Sequence, residues 1–177
     1  MRSQELDYIL LTEEQIQNRI KELGREISRD YEGKEPLVVG VLYGSFIFMA
    51  DLVRRCDIPC KMAFLRVSSY GNGTETSGQV QVIFDPLQDI EGKDVLVVED
   101  IIDSGLTLDT LMKLLQERKP ASLKLCTLLS KPSRRQVPVQ VDYCGFEIPD
   151  AFVVGYGVDF AERWRNLPYL GVLKSYD

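Results

Sequence analysis

Three carboxylates follow a run of apolar residues within residues 95–107, where the sequence reads VLVVEDIIDSGLT. Glu99 and Asp100 come directly after the apolar run, and Asp103 follows two isoleucines. Like charges placed this close together raise one another's pKa and lower stability unless a ligand binds them. The pattern therefore predicts a binding site at the end of a buried strand.

The four residues after Asp103 predict an anion site. Ser104, Gly105, Leu106 and Thr107 lie where the strand should end and a helix should begin. Free backbone N–H groups and the helix dipole favour an anion at such a turn, and glycine lets the backbone approach it closely. Carboxylates accept hydrogen bonds from hydroxyl groups, so a sugar phosphate would satisfy the acids and the turn together. Each residue alone is equally compatible with a helix cap or a solvated acid.

The residues that are missing from the chain limit its chemistry. None of the 13 glycines belongs to a G-x-x-x-x-G-K-[ST] or a G-x-G-x-x-G motif, so P-loop and dinucleotide sites lose their main support. The chain contains no histidine, and therefore any general base must be a carboxylate, lysine, tyrosine or thiolate. Four cysteines without a CxxC pair argue against a zinc site, and we expect reduced thiols.

Length, composition and charge indicate a single globular domain spanning residues 1–177, with 45% hydrophobic and 27% charged residues. A net charge of −6 argues against a protein that binds nucleic acid by neutralising phosphates. The first residues contain no apolar signal-peptide core, and the longest uncharged stretch, residues 36–50, is too short to cross a bilayer. We expect a cytoplasmic protein that binds neither nucleic acid nor membrane.

Alternating apolar strands and helices predict an α/β fold, with a parallel sheet covered by helices on both faces. A helix should begin at Thr12, where Gln15 completes a capping box. The sheet core should span about residues 37–158, and a small cap should come from about residues 1–30 and 159–177. Strands are predicted at 37–42, 61–67, 80–84, 94–98, 123–129 and 151–157, and further helices at 46–56 and from 108 to before Pro120.

Several polar residues follow directly after predicted strands. Because ligands bind beyond the carboxyl ends of the strands in open α/β sheets, we expect these residues to share one edge of the sheet. They are Gly44, Glu99, Asp100, Lys131 and Asp159.

The motif VVEDIIDSGLT resembles the phosphoribosyl-pyrophosphate-binding motif of type I phosphoribosyltransferases. VVGVLYGSFIFMADL, LLSKPSRR and GFEIPDAFVVGYGVDFAERWRNLPY are similar to the branch that handles 6-oxopurines, the hypoxanthine-guanine phosphoribosyltransferases. The resemblance implies purine salvage: hypoxanthine or guanine N9 joins the ribose of phosphoribosyl pyrophosphate, giving IMP or GMP and pyrophosphate. It also implies an oxocarbenium-like transition state and a homo-dimer or homo-tetramer.

The resemblance assigns roles to the acidic motif. Glu99 and Asp100 would hold the ribose hydroxyls, Asp103 would be the general base or acid at purine N7, and residues 104–107 would bind the 5′-phosphate. Pyrophosphate leaves with high negative charge, which implies Mg²⁺. Asp159 would associate with that metal together with Glu99 and Asp100.

Other roles fall outside the motif. Lys131 would donate to the purine 6-oxo oxygen, since a lysine can only donate and so disfavours adenine's amino group. Phe152 would stack on the base, with a core position as the less favoured alternative, and Val153 would meet the pyrimidine edge through its backbone. Arg165 would bind pyrophosphate. Ser69 and Tyr70 would begin a mobile lid over residues 68–78, whose composition a simple hairpin connection explains as well.

One position departs from the family pattern. The family usually has lysine or arginine before the glycine of the first strand-end loop, and this chain has Tyr43 before Gly44. The loop backbone can still bind pyrophosphate, but the side-chain cation is missing. Two alternatives stay open: an RNA-binding regulator on the same fold, and a phosphoribosyltransferase for another base such as xanthine, adenine or orotate.

Overall fold

A computed structural model describes residues 6–69, 80–85, 87 and 89–174. These residues form two sheets and three α-helices. The helices are α1 (Glu13–Asp30), α2 (Ser45–Val53) and α3 (Leu106–Gln116), and a short 3₁₀ helix covers Pro132–Arg134. The strands are β1 (Leu6–Leu11), β2 (Leu37–Leu42), β3 (Lys61–Ser69), β4 (Val80–Phe84), β5 (Asp94–Ile102), β6 (Ser122–Ser130), β7 (Tyr143–Glu147), β8 (Val153–Val154) and β9 (Leu170–Leu173).

The main sheet has six strands in the order β4-β3-β2-β5-β6-β7. All neighbouring strands are parallel except β4, which runs antiparallel to β3 at one edge. In the centre, Val38 lies opposite Met62 on β3 and Leu96 on β5. The predicted parallel α/β sheet is thus confirmed, with one antiparallel edge strand.

Helices cover both faces of this sheet, as predicted. Alternate residues of β5 point to opposite faces, because side chains alternate along a strand. Leu96 and Val98 pack in the core with α1 and α2, whereas Val95 and Val97 pack in the second core with α3. The carboxyl ends of the parallel strands therefore emerge between two filled layers.

Helix α1 begins as the sequence predicts, but it does not belong to the cap. The Thr12 side chain accepts from the Gln15 backbone and the Gln15 side chain accepts from the Thr12 backbone. Ile16, Ile20 and Leu23 are buried in the core beneath the main sheet. Their helical spacing gives α1 one apolar face, and that face packs on the sheet.

The cap is a second, three-stranded antiparallel sheet in the order β1-β9-β8. The predicted sheet strand at 151–157 was wrong: only Val153 and Val154 are extended, and they pair with β9. Gly155 and Gly157 then take positive φ angles of 107° and 98°, which end the strand.

The sixth strand of the main sheet is β7, in a segment for which no strand was predicted. Its burial is mixed, since it lies at the sheet edge, and its sequence YCGFE lacks a continuous apolar run. In the described part of the chain, no helix is long and apolar enough to cross a membrane. All four cysteines are free thiols, as expected.

Candidate functional site

Glu99 and Asp100 lie inside β5, near its carboxyl end, and not after the strand as predicted. Their exposed fractions are only 9% and 8%. Burial raises the pKa of the Glu99 carboxyl group well above its usual value, and the neighbouring Asp100 charge raises it further. The pair thus has the properties of a site that a ligand with hydrogen-bond donors or positive charge would stabilise.

Asp100 packs against the loop that follows β2. A Cβ atom added at Gly44 would lie 1.8 Å from Asp100 Oδ2, so only glycine fits beside this carboxylate. Glu99 is the member of the pair that lines the cleft on the α3 side. The two acids consequently connect the Gly44 loop with the turn after β5.

The turn 104–107 has the predicted strand-to-helix geometry. Gly105 has φ 85° and precedes α3, which begins at Leu106. The Leu106 backbone N–H donates to Ser104 Oγ at 3.4 Å. A cleft of about 980 Å³ opens over this turn. It is lined by Glu99, Ile101, Ile102, Asp103, Ser104, Gly105, Thr107, Leu108, Ser133, Arg134, Arg135 and Gln136.

Two arginines that were not among the predicted site residues, Arg134 and Arg135, line the same cleft as Asp103. Arg134 Nε lies 3.6 Å from Asp103 Oδ1, which is too far for a hydrogen bond. Within the described ranges, Asp103 Oδ1 and Arg135 Nη1 are buried without a hydrogen-bond partner. Both groups therefore have unused hydrogen-bonding capacity at the same cleft.

The segment that carries these arginines is fixed to the turn after β5. The Gln136 backbone N–H donates to the Ser104 carbonyl at 2.9 Å, and Arg135 Nη2 donates to Ser130 Oγ at 2.8 Å. The basic residues after Lys131 were the only sequence signal that this segment lines the cleft. The position of the segment opposite the turn 104–107 depends on the connection between β6 and β7.

Lys131 follows β6 directly, as predicted, and is buried. Its Nζ lies 4.0 Å from Asp150 Oδ1. Phe152 is not a core residue, since 69% of it is exposed, and its ring packs edge-on against Phe160 with centroids 6.5 Å apart. Val153 is buried in β8. An exposed aromatic ring such as that of Phe152 can stack on a planar ligand.

Asp159 and Arg165 form an ion pair. Arg165 Nη2 lies 2.7 Å from Asp159 Oδ1, and Arg165 Nη1 donates to the Gly157 carbonyl at 2.7 Å. A Cβ added at Gly157 would lie 2.2 Å from the Gly44 carbonyl oxygen. The Asp159 segment therefore touches the loop after β2, which lies beside Asp100.

Tyr43 is exposed, and the guanidinium of Arg66 lies over its ring at 4.6 Å from the centroid. Arg66 lies on β3, directly opposite Leu42. A cation is thus present next to Tyr43, on the neighbouring strand.

Of the predicted lid, Ser69 is the last residue of β3. Tyr70 and the rest of the lid, residues 70–78, lie outside the described residues.

A divalent cation fits this site only if the substrate shares its coordination. The residues that the structure describes contain no group of three or more histidine, cysteine, aspartate or glutamate side chains placed around one point. Mg²⁺ is commonly held by one or two carboxylates together with water and substrate phosphates. The buried acids Glu99 and Asp100, and the ion-paired Asp159, supply oxygens of the kind that this coordination requires.

Comparison with known proteins gives consistent matches. Residues 9–161 match the phosphoribosyl transferase domain family. The chain is 52% identical over 174 residues to the hypoxanthine-guanine phosphoribosyltransferase of Bacillus subtilis (strain 168), covering 98% of this chain and 97% of that protein. It is 55% identical over 170 residues, 96% of its length, to the bifunctional protein TilS/HprT of Listeria monocytogenes serotype 4b, of which it spans only 26%.

A solved structure agrees. The crystal structure of a hypoxanthine phosphoribosyltransferase from Staphylococcus aureus has a TM-score of 0.93 and 52% identity, covering 96% of this chain and 92% of that one. The fold, the acidic strand end and the sequence identity lead to one assignment. The chain belongs to the phosphoribosyltransferase family, and within it to the hypoxanthine-guanine phosphoribosyltransferases.

Proposed function

We propose that the chain transfers the phosphoribosyl group of phosphoribosyl pyrophosphate to N9 of hypoxanthine or guanine. The observation that carries this proposal is the cleft in which Glu99, Asp103 and the turn 104–107 meet. In the reaction, the C1–N9 bond forms while the bond from C1 to pyrophosphate oxygen breaks. The products are a purine nucleotide and pyrophosphate, which is the chemistry of purine salvage.

The sugar donor occupies the cleft over the turn after β5. Its 5′-phosphate accepts from the backbone and hydroxyl groups of Ser104, Gly105, Leu106 and Thr107, where the helix dipole of α3 favours negative charge. Its ribose hydroxyls donate to Glu99 and Asp100. The support is the buried position of both acids and the positive φ of Gly105, which opens the turn to a ligand.

The base lies between Lys131 and Phe152. Lys131 donates to the 6-oxo oxygen, Phe152 stacks on the ring, and the Val153 backbone meets the pyrimidine edge. Asp103 accepts the proton of purine N7 as N9 bonds to C1. The position of Asp103 supports this role, because 46% of its side chain is exposed and it lines the cleft, where a ligand can reach the carboxylate.

Pyrophosphate leaves on the side of the site formed by the loop after β2 and the segment that ends at Asp159. The backbone of Tyr43 and Gly44 binds it together with Arg165, and Ser69 and Tyr70 begin the lid that excludes water. Mg²⁺ bound through Glu99, Asp100 and Asp159 would neutralise the leaving charge.

The chain acts as a dimer or tetramer of identical subunits in this proposal. Large apolar side chains are exposed on α2, β3 and β4, and contact with another subunit would remove them from water. They are Phe46, Met62, Ile83 and Phe84. Light scattering coupled to size-exclusion chromatography measures the number of subunits.

A cytoplasmic location stays a prediction.

The test is pyrophosphate release from phosphoribosyl pyrophosphate and Mg²⁺ with hypoxanthine, guanine, xanthine or adenine added singly. Turnover with hypoxanthine or guanine is the expected result. Turnover only with another base would replace the substrate assignment. If phosphoribosyl pyrophosphate binds but no base supports turnover, the proposed enzymatic activity is refuted, and RNA binding is the next property to measure.

Base selection has its own variant. Lys131→Ala should raise KM for hypoxanthine at least tenfold, because the buried ammonium group that donates a hydrogen bond to the oxo group is lost. KM for phosphoribosyl pyrophosphate should stay within about twofold. Lys113→Ala is the control, since Lys113 forms only an exposed ion pair with Asp109 on α3. An equal rise in both KM values would contradict the role of Lys131.

A further inference from the structure

Tyr156 is buried in an unusual backbone conformation between two glycines. It has φ 49°, in the left-handed region that β-carbon contacts disfavour, and Gly155 and Gly157 on either side also have positive φ. Only 3% of Tyr156 is exposed. A bulky residue keeps such a conformation when surrounding contacts hold it there. The contacts that hold Tyr156 are therefore informative.

The Tyr156 hydroxyl donates to the Asp51 carboxylate on α2. Gln17 on α1 reaches the same place: its Nε2 lies 2.8 Å from Asp51 Oδ2 and 3.1 Å from Tyr156 Oη. Burial would raise the pKa of Asp51, but hydrogen bonds from Tyr156, Gln17 and Arg54 hold it below its usual value. Asp51 is thus a charged acceptor at the junction of two helices and the segment 153–159.

The two elements that Tyr156 and Asp51 connect carry opposite ends of the site. The segment 153–159 begins at Val153, on the side of the base, and ends at Asp159. Helix α2 follows directly after Gly44, in the loop proposed to bind pyrophosphate. Both elements also touch where Gly157 packs on the Gly44 carbonyl. A single contact between two glycines allows the segment 153–159 to shift relative to α2. A second contact, a directional hydrogen bond, restricts that shift.

We propose that the Tyr156–Asp51 hydrogen bond is a positioning device that holds the segment 153–159 at a fixed distance from the Gly44 loop. Tyr156 and Asp51 are positioning residues in this proposal, because they act through Val153, Gly44 and Asp159. The inference rests on the proposed function, since it needs a base on one side and pyrophosphate on the other. Bond formation requires reacting atoms about 3–3.5 Å apart, and a displacement of about 1 Å can cost about 100-fold in rate.

The chain offers a matched control for this hydrogen bond. Tyr143 is also buried, and its hydroxyl donates to Asp30, the last residue of α1, at 2.8 Å. Tyr143 begins β7, at the edge of the sheet opposite to the carboxyl ends. Tyr156→Phe and Tyr143→Phe each remove one phenolic hydroxyl bound to a helix aspartate, and only the first lies beside the site.

The experiment compares both variants with the unaltered protein in thermal unfolding and in steady-state kinetics with hypoxanthine and phosphoribosyl pyrophosphate. We expect similar losses of Tm in both. We expect kcat/KM to fall about 10- to 100-fold in Tyr156→Phe and to stay within about twofold in Tyr143→Phe. Equal kinetics in the two variants would overturn the inference.

A second pair protects the test against misfolding. In Asp51→Asn the amide oxygen still accepts from the Tyr156 hydroxyl, so most activity should return, whereas Asp51→Ala should behave like Tyr156→Phe. Equal activity of the Asn and Ala variants would also overturn the inference. Absence of turnover in the unaltered protein would refute the proposed function and this inference together. Turnover there without a difference between the variants would refute this inference alone.

Discussion

The Glu99 carboxyl group is buried beside Asp100, and both conditions raise its pKa. Since the folded-state pKa lies above the unfolded value, the folded protein binds a proton that the unfolded chain releases, and stability falls as pH rises between the two values. Glu99→Gln should therefore raise Tm by about 2–4 °C, more at pH 8 than at pH 5, while weakening binding of phosphoribosyl pyrophosphate. Differential scanning fluorimetry at both pH values measures the gain. A Tm of Glu99→Gln below that of the unaltered protein at pH 8 would contradict the raised pKa of the Glu99 carboxyl group.

Asp103 has a buried oxygen without a hydrogen-bond partner among the described residues, and no arginine atom lies within hydrogen-bond distance of it. Asp103→Asn keeps the shape of the side chain but removes the base, so kcat should fall by about 10²- to 10⁴-fold. The affinity for phosphoribosyl pyrophosphate should change little. Asp109→Asn on α3 is the control, because Asp109 only pairs with the exposed Lys113. An unchanged kcat would remove Asp103 from the mechanism.

The turn between β5 and α3 depends on Gly105, which combines a positive φ with a close contact. A Cβ there would lie 2.9 Å from Val139 Cγ2, whereas at Gly33, also at positive φ, nothing lies within 4 Å. Gly33→Ala should lower the free energy of unfolding by about 1–2 kcal/mol, the cost of a side chain in the left-handed backbone conformation. Gly105→Ala should cost more, because Val139 has to move, and should raise KM for the sugar donor about tenfold. Urea unfolding and donor kinetics of both variants test this, and equal losses would show that the contact has no effect.

The whole molecule contains several aspartates that hydrogen bonds hold at low pKa. For Asp85 the main cause is the hydrogen bond from Arg118, and for Asp94 it is the hydrogen bond from Ser122. A depressed folded-state pKa gives stability that is present above the unfolded pKa, about 3.9, and is lost as pH falls below it. The urea midpoint should therefore fall steadily below about pH 4. Asp85→Asn should show a smaller fall than the unaltered protein, and an identical fall would contradict the contribution of Asp85.

The strands with continuous apolar runs could be read directly from the sequence. The predictions for β2 and β4 match at both ends, and the capping box at Thr12 and the turn before α3 were also correct. These features depend on periodicity, caps and glycine, which are local properties. The sequence did not predict β7, and it placed β8 in the wrong sheet, because the position of a strand in a sheet depends on its neighbours. An edge strand with mixed burial lacks a continuous apolar run, and an apolar segment can pair with a different sheet.

The chain by itself determined the strand-to-helix turn, the three acids before it, and the absence of histidine that restricts the choice of base. The tertiary structure decided which side chains meet there. It placed Asp100 against Gly44, Arg134 opposite Asp103, and the Tyr156 hydroxyl on Asp51. These contacts join residues far apart in the chain. Their geometry follows from how the sheet, the helices and the cap pack together, which local sequence patterns do not specify.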